Sequence, residues 1–515
     1  MPNKSTDPLF QLIKSLEKSE KRNFKLYVKK NSGDDLKIVR LFDTLDKMEY
    51  YDEALLLKKT PGLVKHQLSN MKAYLYRKIL TSLRQLRDKD NLILQLSEYL
   101  EHAHILYNKG LYLQSLKILD KMKELAISTN QNTYLMQAIF FEKKIESLHI
   151  TRSIQGKAQE LAEKSSGLIK KLDLITRLSN LSLNLYSLYI TNGHARNNED
   201  AEAVKNYFLS QLPENLSAVK GFYEQLYLYQ SYCWYSFILQ DFLMYYRYSQ
   251  KWVDLFEAEP QMLVLESGNY IKGMHNLLGA HFDLQNYDKF IETLKKFEDF
   301  AASDIVQQSA NNRIQTFVYL SISRINKHFM EGTFKEGLKL VPDLEKELKE
   351  YELYLDRHRV LVFYYKIASL YFGSGDYETS IDYLQKIINW KVDLRTDLQC
   401  YSRLLHLIAH YELGNFELIE YLAKSVYRFM ARMQNLSAVE EHIFDFLRRA
   451  LRTRPSDMKK EFELLLTQLR KYERNQMETR AFNYLDIISW LESKIYGIPV
   501  HEVIRKKFLE RKKRK

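Results

Sequence analysis

Residues 367–384 read IASLYFGSGDYETSIDYL and set the predicted architecture. Apolar residues before Gly375 recur at steps of three and four, and the same spacing resumes after Tyr377. This periodicity is typical of amphipathic helices. Gly375 and Asp376 lie between the two periodic runs, and glycine commonly ends a helix in a tight turn. The stretch therefore predicts a helical hairpin with its turn at Gly375.

The same pattern, a Gly or Gln two residues before an aromatic residue, occurs at five other places. The turn residues there are Gly110, Gln240, Gln285, Gly332 and Gly414. From 240 to 414 the turns are separated by 45, 47, 43 and 39 residues. The gap from 110 to 240 is three such periods, which predicts further turns at Gly193 and within residues 153–156. A period in the low forties accommodates two helices and two short loops.

The hairpin at Gly375 resembles a tetratricopeptide repeat in the order of seven residues: Ile367, Ala368, Tyr371, Gly375, Tyr377, Ser380 and Leu384. The resemblance covers roughly residues 90–430. It implies an all-α, right-handed solenoid of about seven or eight hairpins. A standard repeat is about 34 residues long. The longer period resembles that of bacterial regulator and sensor solenoids. Because the period differs, the superhelical pitch of the standard repeat is not transferred to this chain.

Helical regions are expected on both sides of the repeats. The predicted organisation is a helical N-terminal region at 1–90, a TPR-like solenoid at 91–430, a helical C-terminal cap at 431–504 and a basic tail at 505–515. The opening, LFQLIKSLEKSEKRNF at residues 9–24, resembles the start of an uncharacterised bacterial protein family. That second resemblance implies no known activity.

Composition places the chain in the cytoplasm. Residues 1–7 carry no apolar run behind a basic flank, so no signal peptide is expected. No stretch of about 18 apolar residues occurs, so no membrane span is expected. Cys233 and Cys400 lie far apart, which fits a reducing compartment without a disulfide framework. Oligomeric state is not predictable from these features.

The resemblance implies a concave groove lined by the first helix of each hairpin. The position three residues before the turn can face that groove, and it is aromatic in six copies, with Ile190 as the exception. These six residues, the aromatic stripe, are Tyr107, Phe237, Phe282, Phe329, Phe372 and Tyr411. The position six before the turn adds Trp234, Asn326 and Ile408. Aromatic side chains are favoured binding anchors, but the same rings could instead seal one hairpin against the next.

The candidate partner-binding residues are therefore Trp234, Phe237, Phe282, Asn326, Phe329, Phe372 and Tyr411. A clamp for a terminal carboxylate, a known use of tetratricopeptide repeats, would need Lys and Asn at set positions in the groove. Asn326 occupies one such position, but no matching Lys occurs in the same repeat. We therefore do not expect a carboxylate clamp.

The net charge of +12 is concentrated at the C-terminus. Residues 505–515 contain one acid, Glu510, and eight basic residues: Arg505, Lys506, Lys507, Arg511, Lys512, Lys513, Arg514 and Lys515. Such a run can contact phosphates of nucleic acid, of the ribosome or of an anionic surface. It could also be a solvated helix end. Only Phe508 is aromatic there, which leaves little for base stacking.

Enzymatic function has no positive support. No phosphate-cradling loop, dinucleotide fingerprint, nucleophile elbow or CxxC pair occurs. His406 and His410 lie four residues apart without a third ligand, so helix packing is favoured over a metal site, and no cofactor is expected.

The predicted function is thus a non-enzymatic scaffold that binds a protein segment in the groove. The first alternative is a nucleic-acid- or ribosome-associated factor that uses the basic tail. The second is a regulatory sensor with a DNA-binding head within residues 7–86, where Asp34 and Asp35 would repel phosphate at the start of one helix.

Overall fold

Helices are the only regular elements in the part of the chain that the structure describes. This computed structural model describes residues 7–31, 36–60, 63–87, 91–149, 156–195, 197–216, 219–390, 396–433, 436–473 and 486–513. No strand occurs within these ranges, so the predicted all-α class is confirmed. The chain divides into two compact units, residues 1–165 and 166–515.

The first unit contains eight described helices and the start of a ninth. They are α1 (Pro8–Ser15), α2 (Lys18–Asn31), α3 (Leu36–Lys47), α4 (Glu53–Lys59), α5 (Lys65–Arg87), α6 (Leu92–Asn108), α7 (Tyr112–Ser128), α8 (Asn132–His149) and α9 (Lys157–Asn192). The apolar faces of α1 to α5 enclose one core, in which the rings of Phe24 and Phe42 lie 4.8 Å apart. The helices α6 to α8 enclose a second core around Leu119.

In the second unit, helices continue from α9 to the C-terminus. They are α10 (Asn198–Gln211), α11 (Phe222–Ile238), α12 (Phe242–Ala258), α13 (Gln261–Leu265), α14 (Ser267–Asp283), α15 (Tyr287–Ala301), α16 (Asp304–Gln307), α17 (Ala310–Glu331), α18 (Phe334–Gly337), α19 (Val341–Glu350), α20 (Arg357–Ser374), α21 (Tyr377–Ile388), α22 (Thr396–Glu412), α23 (Phe416–Arg432), α24 (Ala438–Ala450), α25 (Met458–Arg470), α26 (Ile487–Tyr496) and α27 (Val500–Lys513). Most of them pack mainly on helices that are close in sequence, and the exception is α27, which also packs on α17 and α20.

The predicted turns share one backbone geometry. All six turn residues and Gly193 have positive φ, including Gln240 at 58° and Gln285 at 53°. In the six turns, the N–H after the turn residue donates to the carbonyl five residues earlier; at Gly375, Asp376 N–H donates to Tyr371 O at 3.0 Å. This bond satisfies a carbonyl at the helix end. The Asp376 carboxylate then accepts from Thr379 N–H and caps the next helix.

The small residue after the turn also has a structural reason. Ser380 is fully buried on α21, and its hydroxyl donates to the carbonyl of Ala368 on α20 at 2.9 Å. Ser115 makes the equivalent bond to Ala103 at 2.8 Å in the hairpin of α6 and α7. A larger side chain would separate the paired helices, because these hydroxyls touch the backbone of the facing helix.

One expected loop is absent from the described residues, between Gly156 and Gly193. Of the turn predicted within residues 153–156, Ser153, Ile154 and Gln155 lie outside the described residues, as do Asp34 and Asp35, and Gly156 has the positive φ of the other turn glycines, 78°. Between Gly156 and Gly193 the repeat period requires two helices and a loop, but α9 is one continuous helix of 36 residues. The reason lies in the sequence: the segment contains no proline, and its one glycine, Gly167, stays helical.

Candidate functional site

A cluster of polar side chains lies on first helices of the second unit, among residues that are otherwise apolar. We call it the lysine cluster, and its members are Lys272, His275, Asn326, Arg359 and Lys366. Lys272 and His275 lie one turn apart on α14, and Arg359 and Lys366 lie two turns apart on α20. Because α14 packs on α17 and α17 packs on α20, these faces adjoin.

Lys366 is at the centre of the cluster. Its ammonium donates to the side-chain oxygen of Asn326 at 2.6 Å. The same nitrogen lies 5.1 Å from the ring centroid of Phe329 and 5.5 Å from that of Phe282. Cations at this distance from a ring face are attracted by the ring quadrupole. One side chain therefore joins residues from three helices.

The charge of Lys366 is poorly compensated. Burial lowers its pKa from 10.5 to about 8, and the attraction of Asp283 offsets only part of that effect. Asp283 is itself enclosed, and burial raises its pKa from 3.8 to about 7. Within the described ranges, no carboxylate lies within ion-pair distance of Lys366. Asp283 therefore attracts the Lys366 ammonium from beyond ion-pair distance, and the direct contacts of that ammonium are an amide oxygen and two ring faces, which replace its hydration only in part.

Lys272, on α14, is a second ammonium group that lies against aromatic rings. Its nitrogen lies 4.5 Å from the ring of Tyr186 and 5.0 Å from that of Trp234. Burial and the nearby charge of Arg359 lower its pKa from 10.5 to about 8. Among the residues that the structure describes, Lys272 also has no carboxylate partner. Both lysines still retain some exposed surface, so a ligand can reach them.

The pKa of His275 is affected by the three cations of the cluster. Its ring stacks on Tyr319 with centroids 4.3 Å apart. Burial, together with the charges of Lys272, Lys366 and Arg359, lowers its pKa from 6.5 to about 3. A neutral histidine that feels all three cations shows that they act on one region. That region is positive at neutral pH and suited to an anionic group.

The aromatic stripe is divided by the structure into two environments. Phe372 is buried against Tyr377, with ring centroids 5.3 Å apart. Tyr411 lies in a group of rings from the C-terminal helices, 6.1 Å from Trp490 and 6.2 Å from Phe446. Tyr107 contacts Phe141 at 5.4 Å. The rings of this first group pack against neighbouring helices.

Phe237 and Trp234 also contact other rings. Phe237 lies 5.1 Å from Tyr189 and 4.9 Å from Tyr245, and Trp234 lies 4.8 Å from Tyr186. Phe282 and Phe329 are half-buried, and they are the two stripe residues that face the same ammonium, that of Lys366. Of the candidate residues predicted from the sequence, Phe282, Asn326 and Phe329 are thus brought together at Lys366.

The basic tail forms part of the helix α27, which packs on α17 and α20. Phe508 is buried against Tyr287, with ring centroids 4.7 Å apart. Of the six basic residues of the tail that the structure describes, three bind within the chain: Arg505 donates to the Glu331 carbonyl, Lys507 pairs with Glu492 at 2.7 Å, and Arg511 donates to Gln285. Lys506, Lys512 and Lys513 are exposed, while Arg514 and Lys515 lie outside the described residues.

The paired histidines pack inside the second unit. His406 and His410 are both buried, and their rings meet edge to face at 4.5 Å. Burial lowers the pKa of His406 from 6.5 to about 4. In the described part of the chain, no group of three or more His, Cys, Asp or Glu side chains is arranged to hold a metal ion.

Sequence reasoning missed the lysines of the cluster. The lysine beside Asn326 is Lys366, which belongs to the next hairpin and not to the repeat that contains Asn326. A signal was present, since Lys272 and Lys366 are isolated cations inside apolar runs, YIKGM at 270–274 and YYKIA at 364–368. Such residues must be explained by a partner or by function.

Comparison with known proteins gives no assignment: no protein-family model matches this chain, and no curated protein sequence matches it. None of the described helices combines the length and the apolar character that crossing a membrane requires.

Proposed function

We propose that this chain is a non-enzymatic scaffold that binds an acidic protein segment at the lysine cluster. The observation that carries the proposal is the pair of half-buried ammonium groups, Lys272 and Lys366, neither of which forms an ion pair with a carboxylate of the described residues. An anionic group of a ligand would supply the missing charge. A charge-assisted hydrogen bond is worth about 1.5–3 kcal/mol when both partners are desolvated.

The aromatic residues beside the cluster support a peptide rather than a small ion. Phe282 and Phe329 present half-buried ring surface next to the Lys366 ammonium. A peptide with an acidic residue beside an apolar one would meet both features at once. Aromatic and cationic side chains together form the usual anchors of protein interfaces.

The proposal includes the architecture implied by the resemblance. In a right-handed TPR-like solenoid the first helices α11, α14, α17 and α20 would line the concave surface, and the lysine cluster lies on helices of that set. The helical regions before and after the repeats would cap its ends. A cytoplasmic, bacterial scaffold is the corresponding biological setting.

A defined peptide pair tests the proposal. The probe is a short fluorescein-labelled peptide of alternating Glu and Leu, and its control has Gln in place of Glu. We expect tighter binding of the Glu peptide by fluorescence anisotropy, with a loss of about tenfold in Lys366→Met or Lys272→Met, which is the effect of about 1.4 kcal/mol. The exposed Lys424 provides the matched control, Lys424→Met.

Asn326→Asp gives a sharper test with almost no change in shape. The new carboxylate would lie on the Lys366 ammonium, where the amide oxygen is now 2.6 Å away. It would occupy the place of the ligand's anion, so the Glu peptide should bind more weakly although the fold gains an ion pair. Equal binding of the Glu and Gln peptides to the wild-type protein would refute the proposal.

A further inference from the structure

The helix α2 of the first unit carries a second cationic surface. Its sequence, KSEKRNFKLYVKKN, contains six basic residues and one acid, Glu20. Phe24 and Val28 face the core, and Glu20 is buried. The opposite side forms a shallow groove of about 380 Å³ lined by six residues: Lys18, Lys21, Arg22, Lys25, Leu26 and Lys29. We call this surface the basic face.

The cations of the basic face are only partly neutralised. Lys21 pairs with Asp46 at 2.7 Å and Lys25 pairs with Asp43 at 2.6 Å, and both acids belong to α3. Lys18, Arg22 and Lys29 are exposed, and no carboxylate of the described residues lies within ion-pair distance of them. Three charges without an ion-pair partner in the described residues therefore follow one side of the helix over about 16 Å.

This arrangement has a cost in the folded protein. Lys18 and Arg22, Lys21 and Lys25, and Lys25 and Lys29 are spaced four residues apart, and like charges at that spacing repel. Lys18 also lies at the first turn of α2, where the helix dipole disfavours a cation. Among the described residues, the two ion pairs with α3 compensate for part of this repulsion. A ligand with regularly spaced negative charges would compensate for the rest.

We propose that the basic face of α2 binds the phosphate backbone of a nucleic acid. Lysine and arginine side chains one turn apart along a helix lie at a spacing comparable to that of consecutive phosphates. No aromatic ring belongs to the basic face, since Tyr27 lies under the ammonium of Lys78 at 5.8 Å. Backbone contact without base stacking favours a duplex and predicts little sequence preference.

Leu26 is the one apolar member of the basic face and is 57% exposed. A single leucine adds little affinity for a lipid surface compared with the apolar face of a membrane-binding helix. The nucleic acid is therefore the favoured occupant, and anionic vesicles serve as the comparison.

The test uses the full chain and compares two triple variants. Lys18→Gln, Arg22→Gln and Lys29→Gln remove the free charges of the basic face. Lys506→Gln, Lys512→Gln and Lys513→Gln remove the same charge from exposed positions of α27. Binding of fluorescein-labelled DNA and RNA duplexes is measured by anisotropy from about 50 to 200 mM salt, together with binding to vesicles of phosphatidylcholine and phosphatidylserine.

Three phosphate contacts contribute about 2.7 to the slope of log K against log salt. We expect the slope of the α2 variant to be smaller by about that amount. Between about 50 and 200 mM salt, the duplex affinity of the wild type should then fall roughly 40-fold more than that of the variant. The α27 variant should keep the wild-type slope. A slope unchanged in the α2 variant, no duplex binding by the wild type, or loss of vesicle binding alone would overturn the proposal. Circular dichroism checks that both variants remain folded.

Discussion

Replacing Gly332 with alanine tests how α27 is held on the second unit. A Cβ at Gly332 would lie 2.6 Å from the backbone nitrogen of Arg505 and 2.9 Å from the carbonyl oxygen of His501. Gly375 is the matched control, because nothing lies within 4 Å of a Cβ there. Both glycines have positive φ, +70° and +92°, so both alanine variants carry a conformational cost of roughly 1–2 kcal/mol.

The difference between the variants measures the contact with α27. The clash at Gly332 is with backbone atoms, which no side-chain rotation can relieve, so α27 must shift. Overpacking of this kind costs about 2 kcal/mol beyond the shared conformational cost. The displacement also loosens Phe508 from Tyr287. An excess of about 2 kcal/mol raises the undocked population of α27 about 30-fold.

Limited proteolysis measures that population. Trypsin cleaves after Arg505 and Lys507, which are partly covered in the docked helix. We expect cleavage within α27 to be about 30-fold faster in Gly332→Ala than in Gly375→Ala, at protease concentrations where cleavage follows the open population. Equal cleavage rates in the two variants would show that α27 does not rest on the turn at Gly332.

Three further predictions concern the lysine cluster and the hairpins. Lys272→Met should stabilise the fold by about 1 kcal/mol at pH 7. Because burial lowers the pKa of Lys272 from 10.5 to about 8, the unfolded wild type binds more protons than the folded one between pH 8 and pH 10.5, so its stability rises there. The excess melting temperature of Lys272→Met over the wild type should therefore shrink as the pH rises through that range. Phe372→Ala should cost about 3 kcal/mol in urea unfolding, and Phe329→Ala less than half of that, since only Phe372 is fully packed. Ser380→Leu should lower the free energy of unfolding by more than about 2 kcal/mol, because the Ser380 hydroxyl touches the carbonyl of Ala368 and leaves no room for a larger side chain. An unchanged urea midpoint in Phe372→Ala or in Ser380→Leu would contradict the corresponding prediction.

The turns were the most predictable feature of the fold. A positive φ favours glycine strongly, so the local sequence alone indicates where a helix can end. Gln240 and Gln285 could be assigned to the same geometry from their position in the period. The turn at Asn130, with φ of 56°, was missed because it joins α7 to the next hairpin and does not follow the period.

The continuous helix α9 was missed for a different reason. A repeat period predicts where turns are needed, but a helix stops only where its own residues disfavour it. The interior of α9 contains no proline and one glycine, Gly167, so the helix continues through the position where a loop was expected. Local helix propensity decided the outcome there.

The candidate site was predictable only in part. Aromatic positions follow the turn at a fixed spacing, which located Phe282 and Phe329. The lysine that contacts both rings comes from another hairpin. Contacts between hairpins depend on the details of helix packing, which the spacing of residues along the sequence does not reveal. The same limit applies to the tail, where the charge count gave no sign that Lys507 pairs with Glu492 or that Phe508 is buried.

A titration of the two cluster lysines examines the basis of the proposed function. Reductive ¹³C-methylation followed by NMR reports the pKa of each lysine, and Lys272→Met and Lys366→Met assign the two resonances. We predict a pKa of about 8 for both lysines in the free protein, rising when the Glu peptide is added and staying unchanged with the Gln peptide. Ordinary values near 10.5 in the free protein would show that the charges are already compensated and would contradict the account.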